Sequence, residues 1–286
     1  MFVHWSPRSH AERLDSARWR TERIPATEKQ RRWMFCVPMQ VDGLNGVDLV
    51  AGAKNPGAAV GWLQCPRQPR QLAAWRWHEI YRAGWIMSLV AIDMDIDGDT
   101  DILLSDRKGV QRGCCWLENP GTAAVLDRLW KVHRIGGQGQ EVMFLSPCDL
   151  DRDGKLDVVV AVRGGDLLYL RCERLRPLTW RTWPIRMPPG TGTGKAVAAG
   201  DLDLDNRVDL VVSCEHARGR SGVFWLSWRR SVSDPVWDAH EISGRAEGTK
   251  YDLIRLIDLD EDSDLDVLTC EERDNLGVIW YENPTR

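Results

Sequence analysis

Short apolar runs separated by polar turns recur along the whole chain and predict β-strands. In one repeat, WIMSLVAID (85–93) enters an acidic turn, TDILLSDR (100–107) leaves it, CCWLENP (114–120) carries a central aromatic residue, and WKVHRI (130–135) begins with Trp and ends with Ile. Such runs, rich in β-branched and aromatic residues and bounded by Gly, Pro or Asn, are typical of strands. No stretch of the sequence keeps a helical period for three turns. The pattern predicts an all-β protein whose repeat has four strands, A to D.

The acidic turn sets the period of the repeat. Five such turns align without gaps, and their last acidic residues are Asp48, Asp101, Asp157, Asp209 and Asp266, separated by 53, 56, 52 and 57 positions. A period in the fifties is typical of one four-stranded blade of a β-propeller. We expect a single propeller domain over 1–286 with five visible repeats. Their approximate bounds are 25–80, 81–135, 136–185, 186–242 and 243–286, after a partial repeat over 1–24.

The two ends of the chain do not form a regular ring in this scheme. The N-terminal segments VHWSPRS (3–9) and WRTERI (19–24) match strands C and D, whereas the last repeat stops after strand C at Pro284. The last repeat can take its fourth strand from 19–24, the N-terminal strand can pack outside the ring, or the chain is a fragment of a longer propeller. We expect residues 2–5 to be a surplus strand at an open seam beside the last repeat. Unpaired edges favour self-association there.

Carboxylates in four of the five turns occupy positions 1, 3, 5 and 9. Side chains spaced by two converge on a tight loop, and this number of oxygen ligands suits Ca²⁺ better than Mg²⁺. We predict about four structural calcium ions. The predicted ligands are Asp93, Asp95, Asp97, Asp101, Asp149, Asp151, Asp153, Asp157, Asp201, Asp203, Asp205, Asp209, Asp258, Asp260, Asp262 and Asp266. The first turn offers only Gln40, Asp42, Leu44 and Asp48, and we expect it to stay free of metal.

Composition narrows the classes of function. Acidic residues outnumber basic ones by 42 to 38, and no segment is strongly basic, so nucleic acid is not the expected partner. No apolar run approaches the length of a membrane span, and the N-terminus shows no signal peptide. The 15 Trp against four Phe and four Tyr indicate a repeated Trp-bearing unit.

The D-x-D-x-D-G-x-x-D loops, the WLENP and WYENP strand ends at 116–120 and 280–284, and the Trp-x-x-His strands resemble the FG-GAP/VCBS repeat family of calcium-binding β-propellers. The resemblance covers nearly the whole chain. Members usually have seven blades, so five repeats would correspond to an N-terminally truncated member. Many are secreted or periplasmic, which implies an extracellular or periplasmic location if this chain is such a fragment. Members include lectin-like proteins, adhesion-receptor propellers and propeller parts of sugar lyases and dehydratases.

A candidate binding face lies opposite the acidic turns. Just after strand B, every repeat carries a charged residue: Lys54, Arg107, Arg163, Glu215 and Glu271. Neighbouring loop positions add Trp85, Glu141, Lys195, His216, Tyr251 and Asp252. Aromatic residues beside acids and bases predict a single asymmetric polar cleft for a sugar, a small anion or a protein loop.

Two classes of function remain open at this point. The first is a calcium-stabilised binding module. The alternative is a carbohydrate-active enzyme, a lyase, dehydratase or hydrolase, in which a carboxylate or His216 acts as base and Arg or Lys stabilises charge. The charged positions differ from repeat to repeat, which favours one central site over the repeated sites of a lectin.

Overall fold

The computed structural model describes residues 1–121 and 128–285, and its regular structure is almost entirely β. This part of the chain contains 21 strands and four short 3₁₀ helices, at Ala11–Leu14, Ser16–Arg18, Pro25–Thr27 and Leu72–Ala74, and no α-helix. Within the same residues, no helix has the length and hydropathy needed to cross a membrane. The all-β prediction is confirmed.

Each repeat folds into one antiparallel sheet, and the five sheets are the blades of a β-propeller. Sheet 1 comprises β3 (Arg32–Met39), β4 (Asp48–Lys54), β5 (Ala59–Gln64) and β6 (Arg76–Arg82), and sheet 2 comprises β7 (Ile86–Ile92), β8 (Asp101–Asp106), β9 (Gly113–Glu118) and β10 (Lys131–Gly136). Sheet 3 comprises β11 (Val142–Cys148), β12 (Asp157–Val162), β13 (Leu167–Leu175) and β14 (Leu178–Ile185), and sheet 4 comprises β15 (Thr193–Gly200), β16 (Asp209–Glu215), β17 (Val223–Ser227) and β18 (Asp238–Glu241). Sheet 5 has three strands, β19 (Tyr251–Ile257), β20 (Asp266–Glu271) and β21 (Gly277–Tyr281). An N-terminal pair, β1 (Phe2–Trp5) and β2 (Arg20–Arg23), forms a separate sheet.

The chain divides into two compact units, which are described separately. Unit 1 comprises Met1–Leu103 and Leu117–His133, and unit 2 comprises Leu104–Trp116 and Arg134–Arg286. The N-terminal pair and sheet 1 lie in unit 1, and sheets 3 to 5 lie in unit 2. The boundary between the units runs through sheet 2.

In unit 1, the N-terminal strand pair packs on the outer half of sheet 1. β1 pairs with β2 from Phe2↔Arg23 to Trp5↔Arg20. Ile24, directly after β2, is buried in one apolar cluster with Leu63 and Trp75 of sheet 1, and Val3 and Trp5 pack against this cluster. The surplus N-terminal strand therefore has β2 as its partner. Among the described residues, sheet 5 contains only β19, β20 and β21, so the segment 19–24 does not supply its fourth strand.

In unit 2, the second strand of each blade is the most deeply buried. Every residue of β12 and β16 is buried, which explains their near-continuous runs of Val and Leu. Each strand starts at the last Asp of an acidic turn and leads to a charged residue at its other end. At about 3.3 Å per residue, a strand of this length separates the two ends by roughly 20 Å. The fold thus places the acidic turns and the candidate binding face at opposite ends of the same strands.

Candidate functional site

The acidic turns form four clusters of converging carboxylates. In each cluster, three side chains offer oxygen atoms that all lie within 4.8 Å of one another. The clusters are Asp93, Asp95 and Asp101; Asp149, Asp151 and Asp157; Asp201, Asp203 and Asp209; and Asp258, Asp260 and Asp262. These belong to the four turns with the full carboxylate pattern.

Carboxylate oxygens of the second and fourth turns are buried without a hydrogen-bond donor. They are Oδ1 of Asp95 and Asp201, which belong to the clusters, and Oδ1 of Asp99, which lies in the second turn. Burial and the neighbouring carboxylates, Asp97 first among them, raise the pKa of Asp99 to about 6. A buried carboxylate without a donor is costly unless a cation compensates it. The donor set therefore fits a bound Ca²⁺, held by the clustered aspartates of each turn.

In four turns the last Asp, namely Asp48, Asp101, Asp157 or Asp266, also ties the turn to the third strand of its blade. In the second turn, Asp101 Oδ2 accepts a hydrogen bond from Met94 N at 2.9 Å, and Oδ1 accepts one from Asn119 N, at the end of strand C, at 2.8 Å. Asp266 makes the same two contacts with Leu259 N and Asn283 N. The last Asp therefore holds the blade together, and Asp101 also belongs to the acidic cluster of its turn.

The first turn keeps this tie but replaces the carboxylate cluster. Asp48 accepts hydrogen bonds from Val41 N and Cys65 N. Gln40 closes the turn by donating to the carbonyl oxygens of Leu44 and Gly46. An amide takes the place of the first carboxylate, so the turn closes through its own hydrogen bonds.

In the third turn, basic side chains form ion pairs with two of the aspartates. Arg171 Nε lies 2.6 Å from Asp151 Oδ2, and Arg171 Nη2 lies 3.1 Å from Asp153 Oδ2. Lys155 also pairs with Asp153. These cations reduce the negative charge that a metal ion would meet at this turn.

On the opposite ends of the strands in unit 2, eight charged side chains form a continuous series. We call it the charged strip: Arg107, Glu141, Arg163, Glu215, Lys195, Asp252, Glu272 and Lys250. Arg107 Nε lies 3.1 Å from Glu141 Oε2, and Arg163 lies 3.8 Å from Glu141 and 3.2 Å from Glu215. Every basic side chain in the strip has an acidic neighbour, so the cations are largely compensated within it.

The series continues through Lys195 to a carboxylate pair. Lys195 Nζ is buried and lies 3.6 Å from Glu215 Oε2 and 3.9 Å from Asp252 Oδ1. Asp252 is hydrogen-bonded to Glu272, which also pairs with Lys250. Burial and this hydrogen bond raise the pKa of Asp252 to about 7, whereas the same bond and Lys250 lower the pKa of Glu272 to about 2. Of the two carboxyl groups, Asp252 is therefore the one that gains a proton first as the pH falls through neutral.

Other predicted residues of the face have structural contacts. Lys54 in unit 1 lies 4.9 Å from the centre of the Trp85 ring. Glu271 is buried, and although burial opposes its charge, backbone N–H donors including those of Lys250 and Thr249 lower its pKa. Tyr251 is also buried, and its hydroxyl donates to Glu247 O at 3.0 Å.

The His216 side chain is exposed beside the charged strip, where it could contact a ligand. Its ring is exposed, its Nδ1 lies 3.9 Å from Glu215 Oε1, and its backbone has a φ of 57°. A non-glycine residue in this left-handed region is uncommon. The turn thus holds the imidazole next to the strip.

A cavity of about 300 Å³ opens beside the middle of the strip. It is lined by the residues that follow Arg163, at 164–166, and by 187–188 and 191–194, which lead into Lys195. Glycine backbone and the threonines at 191 and 193 make most of this lining. The niche is polar and large enough for a small ligand.

Comparison with known proteins agrees with the fold. The FG-GAP-like repeat family matches residues 149–212, from the third acidic turn into β16. A comparison with curated proteins finds no match. The blades and this match together define a β-propeller repeat protein that contains an FG-GAP-like repeat. The resemblance inferred from the acidic turns is confirmed.

Proposed function

We propose that the protein is a calcium-stabilised binding module. The charged strip of unit 2 is its recognition surface for a small ligand that carries a carboxylate or several hydroxyl groups, such as a sugar acid. The observation that carries this proposal is the position of Arg163. Its side chain is 42% exposed at the middle of the strip and directly precedes the lining of the 300 Å³ cavity.

The alternation of charges supports a polar ligand over a simple anion. Each basic side chain in the strip has an acidic neighbour, so a bare anion would compete with Glu141 and Glu215 for Arg163. A sugar acid offers a carboxylate to Arg163 and hydroxyl groups to the carboxylates and to Thr191. Mixed donors and acceptors at one end of an ordered scaffold are typical of sites for such ligands.

Calorimetric titration of the calcium-loaded protein with a panel of sugars, sugar acids and small carboxylates tests the proposal. Removal of one hydrogen bond to a charged group typically costs about 1.5–3 kcal/mol, so Arg163→Ala should weaken binding roughly 10- to 150-fold. Arg181→Ala is the matched control, because Arg181 is also partly exposed and ion-paired, with Glu173, but lies on an outer strand. Binding that Arg163→Ala leaves unchanged, or no binding across the panel, would contradict the proposal.

The Asp252–Glu272 pair favours a second candidate function, catalysis on a sugar. Two neighbouring carboxyl groups whose pKa values differ widely, about 7 and about 2, are typical of acid–base sites. In that case Asp252 exchanges the proton while buried Lys195 stabilises negative charge on the substrate. Turnover of glycosides or uronides that Asp252→Asn abolishes, with ligand binding retained, would favour the enzyme over the binding module.

A further inference from the structure

The four carboxylate-rich turns share one backbone contact but differ in the charge of their seventh residue. In each turn, the backbone N–H at position 7 donates a hydrogen bond of 2.8 to 3.1 Å to the carboxylate at position 5. The pairs are Asp99 N with Asp97, Lys155 N with Asp153, Arg207 N with Asp205, and Asp264 N with Asp262. The seventh residue therefore lies beside the same carboxylate in every turn, and its side chain brings its charge to the same place.

In the third and fourth turns, the seventh residue is a base that pairs with this carboxylate. Lys155 forms an ion pair with Asp153, and Arg207 Nε lies 3.1 Å from Asp205 Oδ2. Neither Asp153 nor Asp205 belongs to the group of converging carboxylates in its turn. A base at this position repels a divalent cation and also occupies an oxygen that could bind one.

In the second and fifth turns, the seventh residue is an acid. Asp99 is half-buried, and its Oδ1 has no hydrogen-bond donor in the described part of the chain. The charged groups that act on it most strongly are the acids at positions 5, 3 and 1 of its own turn. Asp264 holds the same position in the fifth turn and is 2% exposed. These two turns therefore gain a carboxylate where the other two gain a base.

The charge of the whole turn follows the same division. Over nine residues, the second turn has five acids and the fifth has six, with no base in either, whereas the third has four acids and two bases and the fourth has four acids and one base. Arg171 also contacts Asp151 and Asp153 of the third turn, and Arg152 lies 3.9 Å from Asp201 of the fourth. Calcium affinity of oxygen-ligand sites depends on the number of charged ligands.

We propose that the residue at position 7 divides the four turns into two classes of calcium site, a tight class at the second and fifth turns and a weaker class at the third and fourth. The inference rests on the proposed calcium stabilisation, which the buried, donorless Oδ1 atoms of Asp95 and Asp201 support. The weaker turns fill at a free calcium concentration about tenfold or more higher than the tight ones.

The weaker turns precede two strands that lead to the charged strip. β12 starts at Asp157 of the third turn and is followed by Arg163, and β16 runs from Asp209 of the fourth turn to Glu215. A fall in calcium therefore empties the turns at the start of these two strands while the second and fifth turns stay filled. The two classes thus give the strands behind the strip a calcium response of their own.

The probe is Ca²⁺ alone, titrated into the metal-free full chain. Native mass spectrometry counts the bound ions, and hydrogen exchange followed by mass spectrometry shows which turns have filled. We expect a species with two ions to accumulate before the species with four. At that stage, amides in 93–101 and 258–266 should be protected, and those in 149–157 and 201–209 should exchange as fast as in the metal-free protein.

The possible results separate the two claims. Four ions bound in a single step, or protection of the third and fourth turns first, overturns the division into two classes while calcium stabilisation stands. A chain that binds no ion contradicts the proposed calcium stabilisation itself.

Substitution of Lys155 tests the role of position 7 directly. Lys155→Asp should raise the affinity of the third turn about tenfold or more, so that three ions bind in the first step. Lys155→Gln removes the base without adding an acid and should give a smaller rise, which keeps the test available if Lys155→Asp folds poorly. Asp99→Asn should weaken the second turn severalfold.

Lys29→Asp is the matched control for these variants. It makes the same change of charge at an exposed lysine that lies before β3, at the end of sheet 1 away from its acidic turn. It should leave the two steps as they are in the unsubstituted chain. The proposal is overturned if Lys155→Asp and Lys155→Gln leave the order of filling as Lys29→Asp does.

Discussion

At the scale of single residues, the last Asp of each acidic turn has a role that does not require metal. Asp48 shows this role most clearly, because its turn lacks the carboxylate cluster while the Asp keeps its hydrogen bonds to Val41 N and Cys65 N. The residue is completely buried, and burial raises its pKa even though backbone donors oppose the rise. Sequence alone does not separate this tie from metal binding, since both use the same carboxylate.

Asp48→Ala should therefore destabilise the protein without changing the number of bound calcium ions. Two hydrogen bonds to a charged group are lost and two buried N–H groups lose their acceptor, so we expect a cost of about 2–4 kcal/mol. Chemical denaturation gives the stability and native mass spectrometry gives the ion count. Asp42→Ala in the same turn is the control, because Asp42 also accepts two hydrogen bonds, from Leu44 N and from the Gln64 side chain, but none from the backbone of strand C. A lower ion count in Asp48→Ala would contradict this assignment.

Because of Asp252, the stability of the folded protein is expected to fall as the pH rises toward neutral. Its pKa is about 7 in the folded protein against an ordinary value of 3.8, so the folded state retains a proton that the unfolded state releases. Its contribution to stability is therefore lost as pH rises from about 4 through 7. Glu272, with a pKa of about 2, contributes stability above pH 4.5 that is lost only as the pH falls toward 2.

Asp252→Asn should flatten the decline in stability between pH 5 and about 8. The expected difference at the alkaline end is about 1–3 kcal/mol, typical of relieving one poorly compensated buried polar group. Denaturant unfolding at several pH values in saturating calcium measures it. Asp238→Asn serves as the control, because the Asp238 side chain is 38% exposed and lies on an outer strand. Parallel pH profiles for wild type and Asp252→Asn would contradict the assignment.

At the scale of elements, the strands and their order were predictable because each blade repeats one spacing of turns and aromatic residues. The candidate face was predictable in part: Arg107, Arg163 and Glu215 join one strip, as their common repeat position indicates. The hydrogen bonds that Glu271 accepts from backbone N–H groups were not predictable, because they depend on how the loops at 249–250 and 273–274 fold. The sequence pattern also predicted that the last repeat reaches only strand C within these residues, and sheet 5 accordingly contains three strands.

The acidic turns also differ from one another as elements. Arg171 of β13 reaches the third turn and contacts Asp151 and Asp153. We predict that Arg171→Ala raises the calcium affinity of this turn several-fold, because removing a cation strengthens the attraction for Ca²⁺. Calorimetric calcium titration measures the change. Arg174→Ala is the control, since Arg174 lies on the same strand and contacts Thr179; equal effects of the two substitutions would contradict the prediction.

At the scale of the whole molecule, the second strand of a blade connects the acidic turn at one end with the charged strip at the other. In unit 2, we propose that calcium at one end of β12 and β16 neutralises the clustered carboxylates, while the other end presents Arg163 and Glu215. Ions bound at the turns would then stabilise the strands that position the charged strip.

The central claim is that the four carboxylate-rich turns bind Ca²⁺ and that these ions stabilise the fold. Native mass spectrometry of the full chain, titrated with calcium and paired with thermal unfolding in excess chelator, tests it most directly. We predict four ions per chain and a clear fall in melting temperature on chelation, since ligand at about 100 times Kd stabilises by roughly 2.7 kcal/mol per site. A chain that retains no Ca²⁺ and melts at the same temperature with and without chelator would contradict the account.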